Sequence, residues 1–139
     1  MPKLTPGSWA KKLRAYAKDI PRQQNEIKKK VAFEIVVKLV ELTPKDTGFA
    51  SSSYFLSVGS PDKASVAVTF DKSGDASLSR VVGFLKSVKP GDTVFITNNV
   101  PYMKYLNAGW SPQAPAGFVE IAIRYGKELI QRQRIRYGV

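Results

Sequence analysis

Between Gln24 and Leu42 the sequence repeats apolar residues at intervals of three and four: Ile27, Val31, Ile35, Leu39 and Leu42. That spacing matches a turn of 3.6 residues, so the segment is expected to be an amphipathic helix. Phe33, Val36, Val37 and Val40 widen the apolar arc beyond one stripe. An arc that wide is expected to pack on more than one side, against the chain's own sheet and against a second subunit. Each large side chain fully buried contributes about 1.5–3 kcal/mol, which makes this face the expected main source of stability. Glu26, Glu34 and Glu41 read as its polar stripe, with Lys30 and Lys38 placed four residues on for ion pairs.

The rest of the chain organises around that helix. Ser8 to about Ile20 reads as a shorter helix with Ser8 as N-cap and Trp9, Leu13, Tyr16 and Ile20 at helical spacing. Pro21 then either opens the next helix or kinks a continuous one. Thr43-Pro44 and the turn chemistry of Asp46 to Gly48 end the long helix. Tyr54–Val58 and Ala64–Phe70 read as two strands joined by the turn "GSPDK", with Val66, Val68 and Phe70 on one face. After a loop at Asp71–Asp75, residues 77–88 return to helical spacing through Leu78, Val81, Val82, Leu85 and Val88. "KPGD" is a turn, Thr93–Thr97 a strand, and Gly117 to Arg136 a last helix with Val119, Ile123 and Ile130 on one side. The order implies an α+β fold: a small antiparallel β-sheet of three or four strands packed against a long N-terminal amphipathic helix, with additional short helices and a C-terminal helix. One domain is expected over 1–139, with residues 1–23 as a helical extension of a 24–139 core.

Charge narrows the function. The chain of 139 residues carries 22 basic and 11 acidic groups, a net +11. Residues 1–50 hold 11 basic and 5 acidic groups, 51–100 hold 5 and 4, and 101–139 hold 6 and 2, so the positive field belongs to the two ends. Such a field favours a polyanionic neighbour, either nucleic acid or an acidic protein surface. No cysteine or histidine is present, which removes disulfides, thiolate metal sites and the commonest general base together. No apolar run is long enough to span a membrane, and the basic N-terminus lacks the apolar stretch of a signal peptide. Synthesis in a cytoplasm is therefore expected, with no membrane partner.

Few motifs carry chemistry. Neither nucleotide-binding fingerprint occurs. Asp71 and Asp75 share a loop but lack the spacing and closing glutamate of a calcium loop, and "ASSSY" has no SxxK spacing. No catalytic residue, cofactor or metal site is assigned, and no enzyme activity is expected. Lys28, Lys29 and Lys30, with Arg132, Arg134 and Arg136 at the other end, are candidates for contact with phosphates or an acidic partner. No helix-turn-helix, zinc-finger or RNA-binding signature accompanies them, which leaves sequence-independent nucleic-acid binding as the alternative function.

The segment "NNVPYMKYLNAGWSPQAPAGF" at 98–118 concentrates prolines, glycines and aromatics. It reads as a rigid corner: Pro101 starts a short helix, Gly109 ends it, and Pro112 and Pro115 stiffen the path into the last helix. Gly48, Gly109 and Gly117 are expected to hold backbone conformations that other residues resist. The aromatics either plug the domain's own core or form a contact surface.

Taken with "ELTPKDTGFASSSY" and the long helix, this segment resembles the gp10-like tail-component family of HK97-type tailed bacteriophages, to which minor tail protein Z is related. Thr43, Pro44, Asp46, Thr47 and Gly48 match its first element. Asn98 or Asn99, Pro101, Tyr102, Tyr105, Leu106, Gly109, Ser111, Gln113, Ala114, Pro115, Gly117 and Phe118 match its second, with Trp110 inside it. Asn107-Ala108 departs from the pattern, which carries a Glu there. The resemblance implies a structural virion protein of the neck or tail-completion kind, made in the host bacterial cytoplasm. It further implies a homo-oligomeric ring of six or twelve copies around the DNA channel, between adaptor, stopper or portal proteins and the tail.

Overall fold

Pro6 begins the first helix and Leu42 ends it: α1 runs unbroken for 37 residues. The computed structural model describes residues 6–137, with side chains at 11 and 20–133. Pro21 lies inside α1, so of the two readings the continuous helix is found. Ser8 falls within the helix and does not cap it, while the side chains of Trp9, Leu13 and Tyr16 lie outside the described residues. Along the packed part, Ile27, Val31, Val36, Leu39 and Val40 are buried, and Phe33 and Ile35 pack against the core from its margin.

After α1 come α2 (Phe49–Ser52), β1 (Tyr54–Val58), α3 (Asp75–Leu85), β2 (Val94–Asn98), α4 (Met103–Asn107) and α5 (Phe118–Tyr137). The fold is α+β, as the order of elements implied. α1 packs on α5 along one side and on α3 along another, with the sheet against it. Much of the wide apolar arc is thus packed within one chain, with Phe33, Ile35 and Val37 half-buried at its margins.

The α5 face differs from expectation. Phe118 and Ala122 are fully buried and Gly126 is buried too, while Ile123 and Ile130 are exposed. Small residues at the crossing let the two helices approach: a Cβ on Gly126 would sit 2.6 Å from Ile35 Cγ1. The phase of α5 therefore follows Phe118 and the small residues Ala122 and Gly126, and not Ile123 and Ile130. The expected i,i+4 ion pairs also give way, to Glu26–Lys29 at 3.7 Å and Lys38–Glu41 at 3.9 Å. Lys38 turns over the Tyr125 ring, 5.4 Å from its centroid.

The sheet has two strands, β1 and β2, antiparallel with Tyr54 opposite Asn98 and Val58 opposite Val94. Ala64–Phe70 is not a strand, and the count of three or four is corrected to two. The reason lies in where the backbone groups go. Gly59 N–H donates to Thr93 O at 3.0 Å. In an antiparallel ladder this turns the backbone groups of Tyr54, Leu56 and Val58 away from β2. At Tyr54 that outer edge is already taken by α3: the N–H donates to Ser77 Oγ at 3.1 Å, and Arg80 donates to the carbonyl at 2.7 Å. The would-be strand is tethered by side chains. Ala67 N–H donates to Ser53 Oγ, Asp71 N–H to Ser52 Oγ, and Asn99 to Ser65 O. Val66, Val68 and Phe70 are left facing solvent.

Candidate assembly surface

The "TPKDTG" element ends α1 and starts the corner. Thr43 Oγ1 donates to Leu39 O at 2.5 Å and shares a 2.7 Å hydrogen bond with the Tyr54 hydroxyl. Both side chains are buried, and burial pushes the Tyr54 phenol up to about 12 against the opposing pull of the Thr43 and Asn98 hydrogen bonds. Pro44 is buried, Asp46 and Thr47 are exposed, and Thr47 Oγ1 accepts from Phe49 N–H. Gly48 sits at φ 83° with no room for a side chain: a Cβ would lie 2.6 Å from the Asp71 carbonyl carbon and Lys72 nitrogen. Gly109 (φ 94°) and Gly117 (φ 75°) also take left-handed conformations, as expected.

The second segment forms the rigid corner. Asn98 Nδ2 donates to Ala50 O at 2.8 Å, and Asn99 Nδ2 reaches Asp62 O at 3.1 Å, so the two asparagines pin separate loops. Hydrogen bonds from Ser65, side chain and backbone, and from Ala64 N–H hold the Asp62 carboxyl below its ordinary range. Past the exposed Pro101, α4 ends with Trp110 N–H donating to Tyr105 O, and Ser111 Oγ accepts from Gln113 N–H. Pro115 is exposed, and Gly117 N–H donates to Asn107 O at 2.6 Å. Asn107 then caps α5, accepting from Val119 N–H at 2.9 Å and donating to the Glu120 carboxylate at 3.0 Å. The residue that departs from the family pattern thus has a defined structural task.

The two segments meet. Gln113 Oε1 accepts from Lys45 N–H at 2.7 Å, and its Nε2 donates to Asp46 Oδ1 at 2.7 Å. Around this clasp lies a cavity of about 250 Å³ lined by Pro44, Gly48, Phe49, Tyr102 and Leu106. Phe49 stacks on Phe70 with ring centroids 4.6 Å apart and meets Tyr102 edge-on at 6.2 Å. Tyr105 stacks on Trp110 at 4.5 Å, and Trp110 is 73% exposed. Of the two fates open to the corner's aromatics, Tyr102, Tyr105 and Trp110 take the surface, and only Phe118 enters the core. A partly solvated set of stacked aromatics on a pinned backbone suits protein contact, because the side chains are ordered before a partner arrives.

The cationic candidates do not form one group. Lys28 Nζ donates to Lys89 O and Asp92 O, closing the turn before β2, and Lys29 pairs with Glu26. Lys30 and Arg132 are exposed, and the side chains of Arg134 and Arg136 lie outside the described residues. Elsewhere Ser51, Ser52 and Ser53 are buried with their hydroxyls donating to backbone carbonyls, the first two to Asp71 O and the third to Phe49 O. The Asp71 carboxylate accepts from the Ser73 hydroxyl at 2.6 Å and its N–H at 2.9 Å, which holds it below its ordinary range. Among the described residues no group of three His, Cys, Asp or Glu could hold a metal ion. Comparison with protein-family models, with curated proteins and with solved structures found no match.

Proposed function

We propose that this protein is a structural component of a tailed-bacteriophage virion, in the neck or at tail completion. In this reading copies form a ring of six or twelve around the DNA channel. The ring joins the adaptor, stopper or portal proteins of the capsid connector to the tail. The observation that carries the reading is the clasp of Gln113 on Lys45 and Asp46. It brings together the two segments that carry the family resemblance, and with Phe70 from the intervening loop they build a partly exposed, stacked aromatic surface. A contact surface of that kind serves assembly, and no catalysis is assigned to it. The net +11 suits packaged DNA passing nearby without base reading.

The test is negative-stain electron microscopy of the purified protein, alone and with duplex DNA. Closed annular particles that form without DNA are the expected result. Single copies that bind free duplex tightly at physiological salt, with no annular particles, would replace this reading with sequence-independent nucleic-acid binding.

A further inference from the structure

Antiparallel packing of the two long helices decides where the charge sits. Leu39 and Val119 line one cavity, while Gly126 lies against Ile35 and Val31, so α5 runs back along α1. Residues 1–30 hold 9 basic and 2 acidic groups and residues 124–139 hold 5 and 1, whereas 31–123 holds 8 of each. The whole net charge therefore gathers toward one end of the helix pair. The clasp of Gln113 on Asp46 and the stacked Tyr105 and Trp110 belong to the other end, where α1 stops and α5 begins. A protein so divided suits two kinds of neighbour, a protein at its balanced end and a polyanion at its charged one.

Within the charged end the cations follow a line. Positions 11, 14, 18, 22 and 29 of α1 recur at intervals of three, four and seven, which is one face of the helical backbone, and each carries Lys or Arg. Lys11 and Arg22 are exposed, and Arg14 and Lys18 are placed on this face by the backbone of α1. At the far end of the row, Lys29 and the exposed Lys86 of α3 border a cavity of about 250 Å³ floored by Phe33, Val82 and Leu85. Asp19 and Glu26 fall on the flank of the helix with Lys12 and Lys30. Glu26 reaches Lys29 at 3.7 Å, a weak, partly exposed pair, and the surplus of residues 1–30 stands with both acids counted. The apolar positions 9, 13, 16 and 20 lie on the opposite side of the helix, in line with Ile27 and with Val31, which meets α5.

We propose that the face of α1 carrying Lys11, Arg14, Lys18 and Arg22, continued by Lys29 and Lys86, binds duplex DNA along its phosphates without reading bases. From position 11 to 29 the row spans about 27 Å at a helical rise of 1.5 Å per residue. A duplex offers one phosphate per ~3.4 Å of axis on each strand, so the row passes roughly eight charges of a single sign. An acidic protein surface mixes signs, and a bilayer calls for the apolar side of the helix, which here is turned toward α5. The triplet Lys28–Lys30 is not the contact: Lys28 is held by Lys89 O and Asp92 O, and Lys30 stands off the row. In a ring the charged end of each copy points at the channel and the aromatic corner away from it. The DNA face deepens the ring reading above and rests on it for that setting, but it is tested separately.

Fluorescence anisotropy of a labelled duplex, read across ionic strength, tests the face. Lys11→Gln with Lys18→Gln should reduce the slope of log affinity against log salt by about two. Lys12→Gln with Lys30→Gln removes the same charge from the same helix about 100° round from the row. That second variant should keep the parent slope, and both should melt at the parent temperature. Equal slopes in the two variants, or a parent that does not bind duplex at low salt, would overturn the proposal. Binding to poly-glutamate that the first variant loses, with no binding to duplex, would also overturn it and give the face to an acidic protein. Equal slopes with annular particles still forming would remove the DNA face and keep the ring. A slope change confined to the first variant, in copies that form no annular particles, would keep the face and remove the ring.

Discussion

Tyr54 shows how much one buried polar group can govern. Its phenol is pushed up to about 12 by burial, while in the unfolded chain it ionises near its ordinary value of 10. The neutral form is the one the fold accepts, so this contribution is fully present below pH 10 and is lost as pH rises through about 12. Denaturant midpoints should therefore fall across that window. In Tyr54→Phe the fall should be smaller, after a cost near neutrality of about 1 kcal/mol for the lost Thr43 hydrogen bond. Equal falls in both proteins would assign the alkaline loss to other groups. Gly48 makes a steric case at the same scale. Its positive φ and the backbone of Asp71 and Lys72 both exclude a Cβ, and the clash is with main chain that cannot swing aside. Gly48→Ala should lower stability by about 2–4 kcal/mol, read as a lower melting temperature.

At the scale of elements, two junctions carry sharp expectations. Asn107→Ala removes the acceptor for Val119 N–H and the donor to Glu120, and should cost about 1 kcal/mol, with faster amide exchange confined to the first turn of α5. Arg80 donates to Ser52 O and Tyr54 O and lies 3.9 Å over the Phe55 ring, with partial burial holding its guanidinium below the usual range. Arg80→Ala should cost about 1.5–3 kcal/mol by leaving those carbonyls without their charged donor. The same junction explains what could be read from the sequence and what could not. α1 was legible because its 3.6-residue period is local, and Leu39 or Val31 declares its face through near neighbours. The pairing of β1 was not legible, because it depends on Ser77 and Arg80, more than twenty residues away, reaching an edge that the alternation of Val66, Val68 and Phe70 would otherwise claim. The phase of α5 was missed for a similar reason: hydrophobicity marks Ile123 and Ile130, but close approach to Ile35 selects Gly126. At the candidate surface, Gly48, Gly109 and Gly117 announced their conformations through residue type and turn context together, whereas Gly126 sits inside a helix. The bond from Gln113 to Asp46 spans 67 residues and has no local signature.

For the molecule as a whole, charge sets the terms. A net +11 opposes contact between copies, so added salt should strengthen self-association, and sedimentation should show larger species as ionic strength rises. DNA binding driven by the same charge should weaken over that range. The cations divide accordingly: Lys28→Gln should lower stability by opening the turn before β2, whereas Lys30→Gln should leave stability unchanged. Chain order adds a constraint of another kind. The most extensive packing between elements joins α1 to α5, the first helix to the last. During synthesis, at roughly 5–20 residues per second, the helix ending at Leu42 therefore waits about 5–20 seconds for its partner to be made. In that interval Val31 and Ile35 have no cover from their own chain. A ribosome-bound chaperone, or a neighbouring nascent copy on the same message, meets an apolar face against which α5 packs in the finished protein.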